Sequence, residues 1–424
     1  MHSSERGTVH IIGAGLAGLA AAVQLAHSPR KVVIHEATSL PGGRCRSFYD
    51  QATDMVIDNG THLVLSGNHA ALAYVKTIGA EAGLGGPEVA EFSFVDMATD
   101  ARWTVKFSDG AFPWWIFDKN RRVPQTRVVD YLPLAKLVWT SSDKRIGNVV
   151  NCDTLVYERL LAPFFTAALN VAPLNGSTKL AGALIRETLA MGGKACRPLL
   201  ARDGIGTVFV DPAIAYLRAQ GVEIFLQHEL HALRFDDARV TALDFGGEDV
   251  VRLGGDDAVI LAAPAYAAKN LVPGLETPSA FHGIMNAHFR VTPPADFPPM
   301  MGVINGTGEW IFAFPDRVSV TISDASDMFN MPREALAQKI WRDVAKVMGV
   351  SETLPPWQIV RERRATFAAT PEENARRPAA ETQWSNLVLA GDWTATGLPA
   401  TLEGAIRSGN RAAGLVSEGL RAAA

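Results

Sequence analysis

The sequence predicts an α/β fold in which a parallel sheet layered with helices is interrupted by a second domain of mixed α+β type. Three observations carry this. A short strand-type run, Thr8-Val-His-Ile-Ile12, leads at once into Gly13-Ala14-Gly15-Leu16-Ala17-Gly18 and an alanine- and leucine-rich helical stretch. A second apolar run, Lys31-Val-Val-Ile34, ends near the acid Glu36. Near the other end of the chain, Leu387-Val-Leu-Ala-Gly391-Asp392 reads as a buried strand closing in Gly-Asp, and Thr401-Leu402-Glu403-Gly404-Ala405 opens a new helix.

The first two runs form a strand–glycine turn–helix–strand unit with an acid at its far end, a Rossmann-type dinucleotide fingerprint. Gly13 permits the tight turn, Gly15 lets the backbone approach a pyrophosphate, and Gly18 lets helix and strand pack closely. The helix N-terminus presents unpaired N–H groups and a positive dipole end to phosphates. Glu36 accepts hydrogen bonds from ribose hydroxyls and repels a 2′-phosphate.

The intervening chain supplies the second domain. Residues 68–201 are rich in aromatics and prolines, as in Phe112-Pro-Trp-Trp-Ile-Phe117, and then in helical patterns over 153–169 and 178–191. The cofactor-type pattern resumes with a helix from Asp211, a strand at 222–226, an antiparallel meander over 230–245 and a buried strand over 257–264. Strand runs over 285–324 and a helix over 332–348 return to the second domain. The expected division is 1–67, 202–284 and 385–424 for the nucleotide domain, and 68–201 and 285–384 for the substrate domain.

A length of 424 residues suits two interleaved domains. With 48% hydrophobic and 20% charged residues the composition is that of a globular protein, and a net charge of −4 argues against nucleic acid as a partner. Cys45, Cys152 and Cys196 have no paired spacing, so reduced thiols in a cytoplasmic protein are expected, with no disulfide set and no metal site. No signal peptide and no transmembrane run are read from the sequence.

The loop Pro41-Gly42-Gly43-Arg44, joined to Gly391-Asp392 and its helix, resembles the flavoprotein superfamily that includes amine oxidases and phytoene desaturases. The resemblance implies a Rossmann-type FAD-binding domain of the glutathione-reductase/amine-oxidase kind, with an interleaved substrate domain. Internal motifs narrow it: Asp58-Asn59-Gly-Thr61-His62, Ala167-Ala-Leu-Asn170, Arg361-Glu-Arg-Arg-Ala-Thr-Phe367 and Asp392-Trp393-Thr-Ala-Thr-Gly-Leu-Pro-Ala-Thr401. Together they resemble the squalene-associated FAD-dependent desaturase family over nearly the whole chain. Thr61 departs from the Gln that the family often has there.

That resemblance implies FAD held without a covalent bond, since no cysteine lies in the C-terminal cofactor segment. The expected contacts are Gly13, Ala14, Gly15, Leu16, Ala17, Gly18, Glu36, Ala37, Gly43, Arg44, Thr61, His62, Leu230, Gly391, Asp392, Thr401, Leu402 and Ala405. Arg44 is expected to offset phosphate charge and Asp392 to accept from the ribityl or phosphate side. The implied reaction is reductive removal of the allylic hydroxyl of hydroxysqualene, with NAD(P)H as the ultimate donor. A polyprenoid desaturase or an amine oxidase on the same fold is the alternative, and a non-catalytic lipid carrier ranks last because the glycines and acids are intact. His62, as an imidazolium, is the first candidate for a proton donor; Tyr157, Asn170 and Arg186 are candidates to reach a substrate hydroxyl. Trp114, Trp115, Phe164, Phe165, Trp310 and Phe312 are candidates for apolar walls. The expected partners are a lipophilic isoprenoid and either a membrane surface, touched through residues 112–134, or an upstream enzyme that delivers it.

Overall fold

The computed structural model describes residues 7–140 and 142–422. The apolar runs at the two ends of the chain meet in one five-stranded sheet. Its order is Glu223–Phe225, Lys31–His35, Thr8–Ile12, Ala258–Leu261 and Leu387–Leu389, and every neighbouring pair is parallel. A parallel sheet must be covered on both faces, which is why its central strands are almost continuously apolar. The helix Leu16–Leu25 and the C-terminal helix Leu402–Ala422 pack on each other against it. Gly409 makes this possible: a Cβ there would lie 2.1 Å from the Ala17 carbonyl oxygen. The meander Ala232–Phe235, Val240–Asp244 and Val250–Arg252 stands apart as a three-stranded antiparallel sheet.

The second domain is built on a seven-stranded sheet ordered Trp357–Phe367, Phe281–Phe289, Val318–Ile322, Trp310–Ala313, Met300–Ile304, Glu91–Asp96 and Arg102–Lys106. Only the Met300–Ile304 and Glu91–Asp96 pair is parallel. One face is closed by the helix Arg333–Met348, whose Leu336, Ile340, Trp341 and Val344 are buried at helical spacing. The other face, with Phe94, Trp310 and Phe312, looks toward the inserted helices.

Three local details differ from the sequence expectation. The strand Phe281–Phe289 runs unbroken through the expected division at 284/285, so its first residues sit in the substrate-domain sheet. The helix over 153–169 is not uniform: a π-helical turn, Tyr157–Leu161, precedes the α-helix Ala162–Leu169. Pro163 offers no N–H to the turn before it, and the chain widens there. The helix from Thr178 stops at Glu187, because Thr188 leaves helical geometry (φ −123, ψ −89), and a short 3-10 turn follows. Among the described residues no helix is long and apolar enough to cross a membrane.

Candidate functional site

The glycine turn is shaped to leave room for a ligand. Gly13 has φ +107, and its N–H donates to the His35 carbonyl at 2.7 Å. A Cβ on Gly18 would stand 2.0 Å from the Gly13 oxygen, so only glycine lets helix and turn touch. Gly15 differs: a Cβ there would meet nothing within 4 Å, so the turn is open on that side. The helix starts at Gly15 with no side-chain cap and no acid in its first turn, which leaves its N-terminal amides and positive dipole end for an anion. Gly42 donates to the Ala14 carbonyl at 2.7 Å and folds the Gly-Gly loop over the turn, and Gly43, at φ +57, sits against Gly15.

Glu36 is buried and its carboxylate is fixed by protein donors. Its Oε2 accepts from the Ala14 amide at 2.7 Å, and its Oε1 from the Thr38 amide at 2.9 Å and hydroxyl at 2.7 Å. Ala37 beside it is exposed, and Leu230 is buried.

Arg44 and Asp392, 348 positions apart, face each other. The guanidinium donates to Asp392 Oδ1 at 2.7 Å and to the Ala365 carbonyl at 2.5 Å. Sequence reasoning assigned them separate ligand groups; here each neutralises the other and the pair joins the two ends of the nucleotide domain. Gly391 has φ +146 with the Trp393 ring against it, and that indole donates to the Ala263 carbonyl at 3.0 Å. Arg377, which the sequence reading passed over, is buried and donates to the carbonyls of Asp392, Thr394 and Leu398. It staples the whole 392–398 loop, and nothing in its Arg376-Arg377 context distinguishes it from a surface cation.

The C-terminal helix is capped by the Thr401 hydroxyl, which accepts from Gly404 N–H at 3.0 Å. Leu402 and Ala405 are partly buried in its first turn. Glu403, in the first turn of this helix, caps a different one. Its carboxylate accepts from Ala70 and Ala71, the first-turn amides of His69–Thr77, at 3.1 and 2.8 Å, and pairs with Arg407 at 2.7 Å.

The Asn59–His62 loop bridges the two domains. Thr61 N–H donates to Asn286 Oδ1 at 3.2 Å, and His288 bridges the Asp58 carbonyl and Ser319 hydroxyl. The Thr61 hydroxyl is buried with no protein partner. Burial, reinforced by the Arg44 cation, lowers the His62 pKa to about 4. That lowering runs against the imidazolium donor expected from the sequence.

Two further catalytic candidates are also corrected. Asn170 sits at φ +49 with its amide fully engaged: Nδ2 donates to Thr366 Oγ1 at 2.8 Å and the His282 carbonyl at 3.2 Å, and Oδ1 accepts from Asp324 N–H at 2.6 Å. It ends a helix and ties it to the sheet. Arg186 is exposed and donates to the Val138 carbonyl at 2.9 Å. Tyr157 is buried on the π-helical turn, its hydroxyl beside the Cys152 thiol with no oxygen or nitrogen partner. Of the aromatic candidates, Phe164 and Trp310 line a narrow apolar space with Phe92, Phe94, Leu160 and Leu161. Phe165, Phe312 and Trp115 are core residues, and Trp114 is 64% exposed.

Residues 16–417 match the family model described as flavin containing amine oxidoreductase. The chain belongs to the flavin containing amine oxidoreductase family. Within that family, hydroxysqualene dehydroxylases from Rhodopseudomonas palustris and Zymomonas mobilis are 58% and 47% identical to it, each alignment covering 96% of this chain and 98% of the relative. The solved structure of cyclohexylamine oxidase from Brevibacterium oxydans shares the fold, with a TM-score of 0.70 at 15% identity over 98% of this chain and 99% of that one. As a family member the chain is an FAD-dependent oxidoreductase. Its residues fit that cofactor: the open Gly15 turn with uncapped amides suits the pyrophosphate, pre-fixed Glu36 the ribose, and the orphaned Thr61 hydroxyl a polar edge of the ring system.

Proposed function

We propose that this enzyme converts hydroxysqualene to squalene. The observation that carries the reading is near-full-length identity of 47–58% with three relatives named hydroxysqualene dehydroxylase. FAD, when bound and reduced, supplies hydride at N5. The chain's own part is to hold the cofactor through residues 13–18, Glu36 and the Arg44–Asp392 region, and to keep water from a developing allylic cation. The apolar space between Phe92, Phe94, Phe164 and Trp310 supports that second role, because an apolar wall offers no nucleophile to the cation.

FAD is bound non-covalently in this reading. Cys45 lies in the Gly-Gly-Arg loop, yet it is buried, and burial pushes its thiol pKa well up, away from a reactive thiolate. The reduction consumes two electrons, and NAD(P)H is the proposed source. The enzyme is proposed to work in the cytoplasm at a lipid surface, where an isoprenoid substrate partitions, or to receive its substrate from the upstream enzyme. Support for the lipid surface comes from Phe112, Trp114 and Phe117, which stack on one another while each stays more than half exposed. Exposed Leu132 and Trp139 and the exposed cations Lys119, Arg127 and Lys136 lie in the same stretch of chain. Anaerobic incubation of the FAD-loaded protein with hydroxysqualene and a reductant tests the reading: squalene is the expected product, and its absence, with oxidation of phytoene or an amine instead, overturns it.

A further inference from the structure

A second cavity, of about 430 Å³, opens beside the apolar space. It lies between the π-helical turn with the helix after it (Tyr157, Ala162, Thr166) and the hairpin end of two sheet strands (Val303, Ile304, Glu309). Two polar groups on its wall have no place in the machinery described so far. The Tyr157 hydroxyl is buried with the Cys152 thiol as its polar neighbour and no oxygen or nitrogen partner. Glu309 is held by Ser323, whose amide donates to Oε2 at 3.0 Å, and no cation pairs with it among the described residues.

The sheet register ties this wall to the cofactor side. Asn286, which holds the Thr61 amide, pairs with Thr321, and Thr321 pairs with Trp310, the neighbour of Glu309. Two strand spacings separate Asn286 from Trp310, roughly 10 Å. Trp310 itself lines the apolar space, and Glu309, the residue before it, lines the cavity. A π-helical turn breaking the facing helix at Tyr157 is a common mark of a functional site.

We propose that Glu309 is the acid that protonates the departing hydroxyl of the substrate, with Tyr157 orienting that hydroxyl from the opposite wall; this rests on the dehydroxylase reading above. The Glu309 O–H bond breaks and its proton passes to the substrate oxygen. The allylic C–O bond then breaks with its electron pair leaving on water. The hydride supplied by the reduced cofactor closes the electron balance at carbon, and solvent at the cavity mouth returns a proton to the Glu309 carboxylate. A general acid of this kind contributes about 10²–10⁴ in rate and works best with a pKa near the operating pH. Burial, opposed by hydrogen bonds from Ser323 and reinforced by the charge of Asp324, pushes the Glu309 pKa up to about 7. Asp153, Glu158, Tyr157 and Cys152 are the other titratable groups on the wall; none is a cation, so nothing on it draws the proton off Glu309 by charge.

The test uses the FAD-loaded enzyme under anaerobic turnover, comparing wild type, Glu309→Gln and Glu309→Asp across pH. Wild-type kcat should fall above about pH 7. Glu309→Gln should lose about 100-fold or more in kcat and the alkaline limb with it, while FAD content and KM stay within about twofold. Glu309→Asp should regain part of the rate and the limb. An alkaline limb that persists in Glu309→Gln, or a rate within about threefold of wild type, overturns the assignment. If wild type makes no squalene, the dehydroxylase reading has failed and the proposal falls with it. A measurement on wild type alone covers the case in which the variants do not fold. With carbon-labelled glutamate, the infrared carbonyl band of a protonated acid should titrate near pH 7 and shift when hydroxysqualene is added to the oxidised enzyme. No shift overturns the proposal.

Discussion

Replacing Glu403 by alanine separates a structural from a cofactor role for the best-buried acid of the C-terminal segment, which is 2% exposed. Its carboxylate satisfies two first-turn amides of the helix His69–Thr77, Ala70 at 3.1 Å and Ala71 at 2.8 Å. Arg407 does not become an orphan in the variant, because Glu187 still grips its guanidinium at 2.9 and 2.7 Å. The loss is therefore set by the two amides. Ala71 is fully buried and Ala70 only partly. One charge-assisted bond at a buried donor and a weaker one at a partly exposed donor amount to roughly 3 kcal/mol. At about 2.1 cal/mol/K per residue the unfolding entropy of a chain this long is about 0.9 kcal/mol/K, so Tm should fall by about 3 °C. Glu403→Gln keeps an acceptor oxygen and loses only the charge, for about 1 kcal/mol. The assay is thermal unfolding of both the FAD-loaded and the flavin-stripped protein. The same drop is expected in both, since the cap lies between two protein helices. A stripped protein with unchanged Tm, together with a fall in FAD affinity, would refute the capping account and return Glu403 to the cofactor.

Two other outcomes follow from the same structure. Burial lowers the pKa of His35 to about 3 and of His62 and His288 to about 4, all below the unfolded value near 6.5. The unfolded chain therefore binds more protons in that window, and stability present above pH 6.5 is lost as pH falls toward 4, by roughly 1–2 kcal/mol per histidine at pH 5. Glu309, with its raised pKa, slopes the other way and offsets part of this. The urea midpoint should be lower at pH 5 than at pH 7.5; an equal or higher midpoint would contradict the buried neutral imidazoles. For the lipid contact, Phe112→Ser with Trp114→Ser should reduce flotation with anionic vesicles while FAD stays bound. Trp115 is unsuited to this test, because it is buried and packs edge-on against Phe107 and Tyr131 at 4.8 and 5.2 Å. Unchanged flotation in the double variant would place the contact elsewhere.

What was legible in the sequence is what short-range physics dictates. Gly13, Gly15 and Gly18 are read from spacing alone; the tight turn at Gly13 and the close helix contact at Gly18 exclude a Cβ, and Gly15 leaves the turn open on its free side. The strand Leu387–Leu389 and the helix after it are read from an apolar run and a Thr cap in the same way. Family-like motifs carried the cofactor and the reaction class, and the named relatives match over nearly the whole chain.

The tertiary structure decided everything that depends on which distant groups meet. Arg44 and Asp392 lie 348 residues apart and pair, a contact that no spacing in the sequence announces. Asn170, a plausible reader of a hydroxyl from its motif, has every amide position engaged by backbone and Thr366. Burial and the Arg44 cation lower the His62 pKa. Glu309 sits in an unremarkable Gly-Glu-Trp stretch, and only the fold sets it on a cavity wall across from the buried Tyr157. Backbone geometry is set by neighbours along the chain, whereas protonation and hydrogen-bond supply are set by neighbours in space, and those exist only once the sheets and helices have packed.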